Sequence, residues 1–171
     1  RFLVSRALPQ YDNIRSWIVD NGTLYPGVRK TSGGGSVIRW TGSLVFDGNT
    51  PNLDALFQFE VVGNLDANAA NLVVHQNRIF VASWSEAIRW NPDQSSAPAS
   101  LWMSPVIPAG GLTGANAGQW QQVWSVSDYE PDPLIAMTYG GGALASYNGQ
   151  LYWGTMHIPM IATLAFLQTY G

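Results

Sequence analysis

One stretch recurs along the chain, and it restricts the fold more than anything else in the sequence. Trp17-Ile18-Val19-Asp20-Asn21-Gly22-Thr23-Leu24-Tyr25-Pro26-Gly27 reads as an apolar strand, a tight turn, then an aliphatic, an aromatic and a small residue. The pattern returns with Leu24 falling on Ile79, giving His75-Gln76-Asn77-Arg78-Ile79-Phe80-Val81-Ala82, and again on Leu151, giving Tyr147-Asn148-Gly149-Gln150-Leu151-Tyr152-Trp153-Gly154. Asn-Gly tolerates positive φ at both positions and is the strongest two-residue hairpin signal in a sequence. A hairpin repeated at this spacing is the mark of a small β-sheet built several times over.

The first unit begins with a strand near residues 13–20. Its Ile14, Trp17, Ile18 and Val19 form an almost continuous apolar run, expected to be buried on both faces. Residues 24–28 return antiparallel, and the loop 29–35 leads into a third strand at 36–42. After the polar loop 47–52, residues 57–62 alternate and make an outer strand that is polar on one face. The second unit places strands near 71–75, 79–83 and 87–90. The last of these carries Ile88-Arg89-Trp90, an echo of Ile38-Arg39-Trp40. Its outer strand is expected at 120–127, rather than at Leu101-Trp102-Met103, with 92–118 an insertion on one face. Strands at 143–147 and 150–155 form the hairpin of the third unit, and residues 158–170 depart from the pattern.

Composition supports this reading. Charged residues make up only 11% of the 171 positions, against roughly 25% in ordinary soluble domains. With 8 Trp and 18 Gly, the chain suits short twisted strands and tight turns, and suits neither a disordered segment nor a long-helix bundle. A net charge of −3 with 8 scattered basic residues argues against a nucleic-acid groove. There is no cysteine, so disulfides, thiolate metal sites and Cys nucleophiles are excluded. No run reaches the ~18 apolar residues of a membrane span. The Gly, Asn, Trp and Ser-rich, Lys-poor texture points to a secreted or periplasmic setting.

The expected fold is therefore all-β: a single segment of β-propeller blades, each a four-stranded antiparallel sheet. Blade one covers about 13–62, blade two about 71–127, and a partial blade three 143–171. A closed ring takes at least about four blades. Two and a half are expected to be continued in a longer polypeptide or completed by another chain.

The succession of apolar strand, Asn21-Gly22, Leu24-Tyr25-x-Gly27, a glycine-rich loop and Val37-Ile38-Arg39-Trp40-x-Gly42 resembles blades of bacterial Kelch-like and YVTN-like β-propeller proteins. The second unit departs from it at Asn77-Arg78 and at Ala82. The resemblance implies a binding surface at one face of the ring, around its central channel, and implies no particular ligand.

Several residues invite a chemical role. Arg39-Trp40 and Arg89-Trp90 pair a ring that stacks on sugars with a guanidinium that bonds hydroxyls; the plainer reading makes each Trp an anchor between blades and each Arg a cap on a strand edge. His75 lies on the innermost strand of unit two, near the expected channel, where a hydrogen-bonded structural role is favoured. His157 follows the third hairpin, in the position from which a blade presents residues to ligand. Two histidines without carboxylates at ligand spacing do not make a zinc site. Asp128, Glu130 and Asp132 alternate as in the start of a calcium loop. Yet Pro131 and Pro133 stiffen the segment, the required glycine is missing, and Tyr139 stands where the terminal acid belongs. The oxygen-rich residues 47–54 read as an ordinary turn. Gly33-Gly34-Gly35 is followed by no Lys-Ser/Thr pair and is no phosphate loop, and Asn21-Gly22-Thr23, formally a glycosylation acceptor, is explained by its turn. No Ser-His-Asp order and no paired carboxylates stand out, and no cofactor is called for. Function by exclusion leans to binding: an interaction or scaffolding module packed against further blades or another protein subunit. The alternative is a carbohydrate-binding or carbohydrate-active propeller whose partner is a glycan.

Overall fold

Alternation and turn chemistry organise the chain into stacked sheets. The computed structural model describes residues 8–85 and 97–171. β1 (Tyr11–Asp20), β2 (Thr23–Lys30) and β3 (Gly35–Trp40) run as an antiparallel meander. A two-residue ribbon, β4 (Phe46–Asp47) with β5 (Thr50–Pro51), and the one-turn helix α1 (Leu53–Leu56) then lead to β6 (Phe59–Leu65), which closes sheet one as its fourth strand. β7 (Asn68–His75), β8 (Arg78–Trp84), β9 (Ser100–Met103) and β10 (Gln121–Ser125) form sheet two, again as a meander in chain order. The one-turn helix α2 (Pro133–Ala136) follows. β11 (Tyr139–Tyr147) and β12 (Gln150–His157) then pair as sheet three, and α3 (Pro159–Tyr170) ends the chain. The molecule is mostly β, and none of its sheets closes on itself.

The recurring stretch is realised three times with the same geometry. Asn21-Gly22, Gln76-Asn77 and Asn148-Gly149 all have positive φ at both positions, from 46° to 79°, as the mirror-image hairpin turn requires. Each hairpin also has a register break at the corresponding place: between Ile14 and Ser16, between Ala69 and Asn71, and between Gly141 and Leu144. A bulge there steepens the local twist. It falls near the small residues Gly27, Ala82 and Gly154 of the partner strands.

Sheets one and two stack face to face over one core of Tyr25, Val37, Leu65, Leu72, Ile79 and Val81, to which Trp102, Leu112 and Trp120 add from sheet two and its β9–β10 connection. Close approach demands small residues at the contact. A Cβ on Gly27 would lie 2.7 Å from the Ala69 carbonyl oxygen, and one on Gly63 would lie 2.6 Å from the Trp120 indole. Sheet three stacks on the other face of sheet two, where Asn71 and the Trp84 indole donate to the carbonyls of Gly142 and Gly141. The glycine run at the start of β11 thus serves backbone approach. The outward face of sheet one has its own smaller core, Tyr11, Val28 and Ile38 with Ile14, Phe59 and Val61 against it.

Two expectations need correction. β1 is not buried on both faces: Trp17 is 50% and Val19 68% exposed, because β1 is an edge strand of the end layer and its outward side carries no further sheet among the described residues. The third strand of sheet two is Ser100–Met103, which pairs with Phe80, Val81 and Ala82. The echo Ile88-Arg89-Trp90, the strand expected at 87–90, lies outside the described residues. With Ser100–Met103 in the sheet, 92–118 is not one insertion, although 104–118 does form a connection thrown over one side, and the outer strand falls within 120–127 as expected. Residues 158–170 depart from the strand pattern, as expected. Pro159–Tyr170 is a helix with Pro at its first turn, burying Ile161, Ala162 and Ala165 and leaving Met160, Leu164, Phe166, Leu167 and Tyr170 exposed.

Candidate functional site

The Arg39-Trp40 pair is split by the strand that carries it. Neighbouring side chains in β3 point to opposite faces. Arg39 turns towards sheet two, where its Nη1 donates to the Leu112 carbonyl at 2.9 Å and the Gly110 carbonyl at 3.2 Å. Its Nε is buried without a hydrogen-bond partner among the described residues. The guanidinium pins a loop and is aimed at no open site. Trp40 turns outward. Its indole N–H donates to the Leu56 carbonyl at 2.6 Å, and its ring lines a cleft of about 300 Å³ with Trp17, Leu24, Leu56, Phe57 and Phe59. That cleft is almost purely apolar.

The connection 104–120 explains what Arg39 is for. Leu112 N–H donates to the Tyr25 hydroxyl at 2.9 Å, Gly114 N–H to Glu60 Oε1 at 2.6 Å, and the Trp120 indole N–H to the Val62 carbonyl at 2.7 Å. At its start, Asn77 Nδ2 donates to the Ile107 carbonyl at 3.0 Å and Ile107 N–H returns to the Asn77 carbonyl at 2.9 Å. The loop starts bonded to sheet two and then crosses to bond with sheet one. Tyr25, Glu60 and Trp120 went unnoticed as anchors in the sequence; the only local sign was an aromatic at the second strand of each hairpin.

The two histidines do not converge. His75 is buried, 2.9 Å from Ser146 Oγ through Nδ1 and edge-on to Phe80 at 5.9 Å; it joins sheet two to sheet three. His157 is exposed at the last position of β12 and stacks on Tyr139 at 4.6 Å. Ser146 is next to the hairpin turn and Tyr139 pairs with the far end of β12, so the histidines sit at opposite ends of sheet three. Burial holds the Tyr139 phenol above its ordinary pKa, with the Glu130 carboxylate and Tyr129 adding to the effect.

The alternating carboxylates are each engaged with backbone. Asp128 accepts from Ser125 N–H at 2.9 Å, Glu130 from Asp132 N–H at 3.1 Å, and Asp132 from Leu134 and Ile135 N–H at 2.8 and 3.1 Å. Asp132 is the N-cap of α2. Among the described residues no three His, Cys, Asp or Glu side chains gather as a metal site. Arg89 and Trp90 lie outside the described residues.

No protein-family model, curated protein or solved structure matches the chain. The geometry of its own surfaces therefore carries the functional reading. The described surface offers apolar faces. On sheet one these are the cleft and the exposed Trp17 and Val19; on sheet three they are Tyr147, Tyr152 and Met156.

Proposed function

We propose that the chain is a non-catalytic interaction or scaffolding module made of β-propeller-like blades, in the manner of Kelch-like and YVTN-like repeat proteins, and that it works packed against further blades or another protein subunit. One observation carries this reading. Two four-stranded meanders and a hairpin stack in series, and apolar side chains are exposed at both ends of the described stack, Trp17 and Val19 beside the small outward core of sheet one and Tyr152 and Met156 on sheet three. Apolar faces of this extent rarely stay wet in a working protein. A sugar site finds less support, because Arg39 faces away from Trp40 and the Trp40 indole N–H is taken by Leu56. A glycan needs hydroxyl partners beside the stacking ring, and the cleft supplies almost none.

Size-exclusion chromatography with light scattering, combined with binding of an apolar fluorescent dye, tests the proposal. The expected result is self-association, or a monomer that binds dye strongly. A compact monomer with no dye binding overturns it.

A further inference from the structure

The repeat fixes which residues of each layer face the next layer and which face the one before. On the second strand of a unit, the aromatic and the small residue two places on face forward. In β2 these are Tyr25, fully buried, and Gly27, whose added Cβ would come within 3.3 Å of Ala69 Cβ on β7. In β8 they are Phe80 and Ala82, both buried, with β11 pressed so close that a Cβ on Gly141 would lie 2.5 Å from the Ser83 carbonyl oxygen. In β12 they are Tyr152 and Gly154. The pattern is kept, yet Tyr152 is 54% exposed and no described atom comes within 4 Å of a Cβ on Gly154.

The backward-facing positions lie on the first strand of each unit. Leu72 and Val74 of β7 pack into the core shared with sheet one. Ser146 of β11 meets His75 of sheet two. The matching residues of β1 are Trp17 and Val19, and these are among the exposed apolar side chains of the described surface. The apolar cleft beside Trp17 opens on the same face.

The exposed strip of sheet one at Trp17 and Val19, beside its small outward core, and the outward face of sheet three at Tyr152 and Gly154 thus correspond to the two sides of a contact that the chain makes twice within itself. We propose that they join in a second copy of this chain: the outward face of sheet one docks on the outward face of sheet three of its neighbour, with Ile14 and Trp17 of one copy over Gly154 of the next as Ala69 and Leu72 lie over Gly27. Such a contact is head-to-tail and generates a ring where the rotation closes and a filament where it does not. The proposal rests on the module reading above and names its partner.

The chain has no cysteine, so a cross-link can be placed without background. Ala69 Cβ and a Cβ at Gly27 would lie 3.3 Å apart, a little inside the roughly 3.5–4.5 Å between the Cβ atoms of a disulfide, so a slight opening lets the pair bridge, and Ile14 and Gly154 are their counterparts across the proposed contact. Mixing Ile14→Cys chains with Gly154→Cys chains under mild oxidation is expected to give a mixed disulfide. Neither variant alone, nor Gly154→Cys mixed with Tyr129→Cys on an unrelated exposed site, should give comparable yield. Trp17→Ser, checked for fold by circular dichroism, should weaken association by about tenfold or more in sedimentation. A chain that stays monomeric at every concentration with no Ile14–Gly154 cross-link overturns the proposal, as does Ile14→Cys pairing with itself or equal yield with the control. The dye separates the two failures. A dye-binding monomer removes the second copy and keeps the module reading, whereas a monomer that binds no dye removes both.

Discussion

Tyr11 closes the outward core of sheet one beside Val28 and Ile38, and its hydroxyl titrates in a dry place. Burial raises its pKa, with hydrogen bonds to Ser36 and Gln10 offsetting part of the rise. The folded chain therefore holds the phenolic proton more tightly than the unfolded one. The stability this contributes is complete below the unfolded value of about 10 and is lost as the pH climbs through the folded value. We predict that the melting temperature falls more steeply on the alkaline side of about pH 10 in the parent than in Tyr11→Phe, and that the two curves run parallel below it. Gly63 is the second residue with a sharp consequence. Its Cα hydrogens face the Trp120 indole, and a methyl there would meet the ring at 2.6 Å. Gly63→Ala should cost about 1–3 kcal/mol in denaturant unfolding and red-shift Trp120 emission as the ring is pushed out of the core.

At the scale of elements, the β9–β10 connection depends on Arg39 as much as on its own sequence. Arg39→Met removes the donor to the Gly110 and Leu112 carbonyls. It should cost about 2 kcal/mol and open 104–118 to limited proteolysis, leaving the Trp40 cleft intact on the opposite face. The hairpins were legible because everything that specifies them is local. Asn21-Gly22 and Asn148-Gly149 fix the turn, and alternation fixes the faces. Even Gln76-Asn77, which lacks the glycine, adopts the same turn because Asn tolerates positive φ. The third strand of sheet two was not legible. Pairing is decided by what lies beside β8, and Ser100–Met103 supplies Leu101 and Trp102 for burial there. α3 escaped for a different reason: it is apolar on nearly every side, so no period marks it as a helix. The candidate site was half visible. The residues of Arg39-Trp40 stood out, but their separation onto two faces follows from a strand register that composition does not carry.

Across the described residues, the main contacts of each sheet are with its neighbours in the stack, so stability should grade along it as it does in repeat proteins. Sheet two is covered on both faces, whereas sheet three is covered on one and ends in an unpaired strand among the described residues. Hydrogen exchange is expected to follow. Amides of β2 and β8 should be the slowest, and those of β12 that do not point at β11 should exchange nearly as fast as free peptide. Adding concentrated protein should slow the outward-facing β12 amides if copies dock there, and dilution should reverse it. The connection that crosses from sheet two to Tyr25, Arg39, Glu60 and Val62 also bears on how such a chain can change over generations. A gene segment encoding sheet two alone carries half of a joint whose other half lies upstream, and copying or deleting it singly would strand Leu112 and Trp120 without their partners. The first two sheets are heritable as a pair, whereas the third hairpin, bound to sheet two by its glycine run, Ser146 and a few rings, is the part that recombination can exchange.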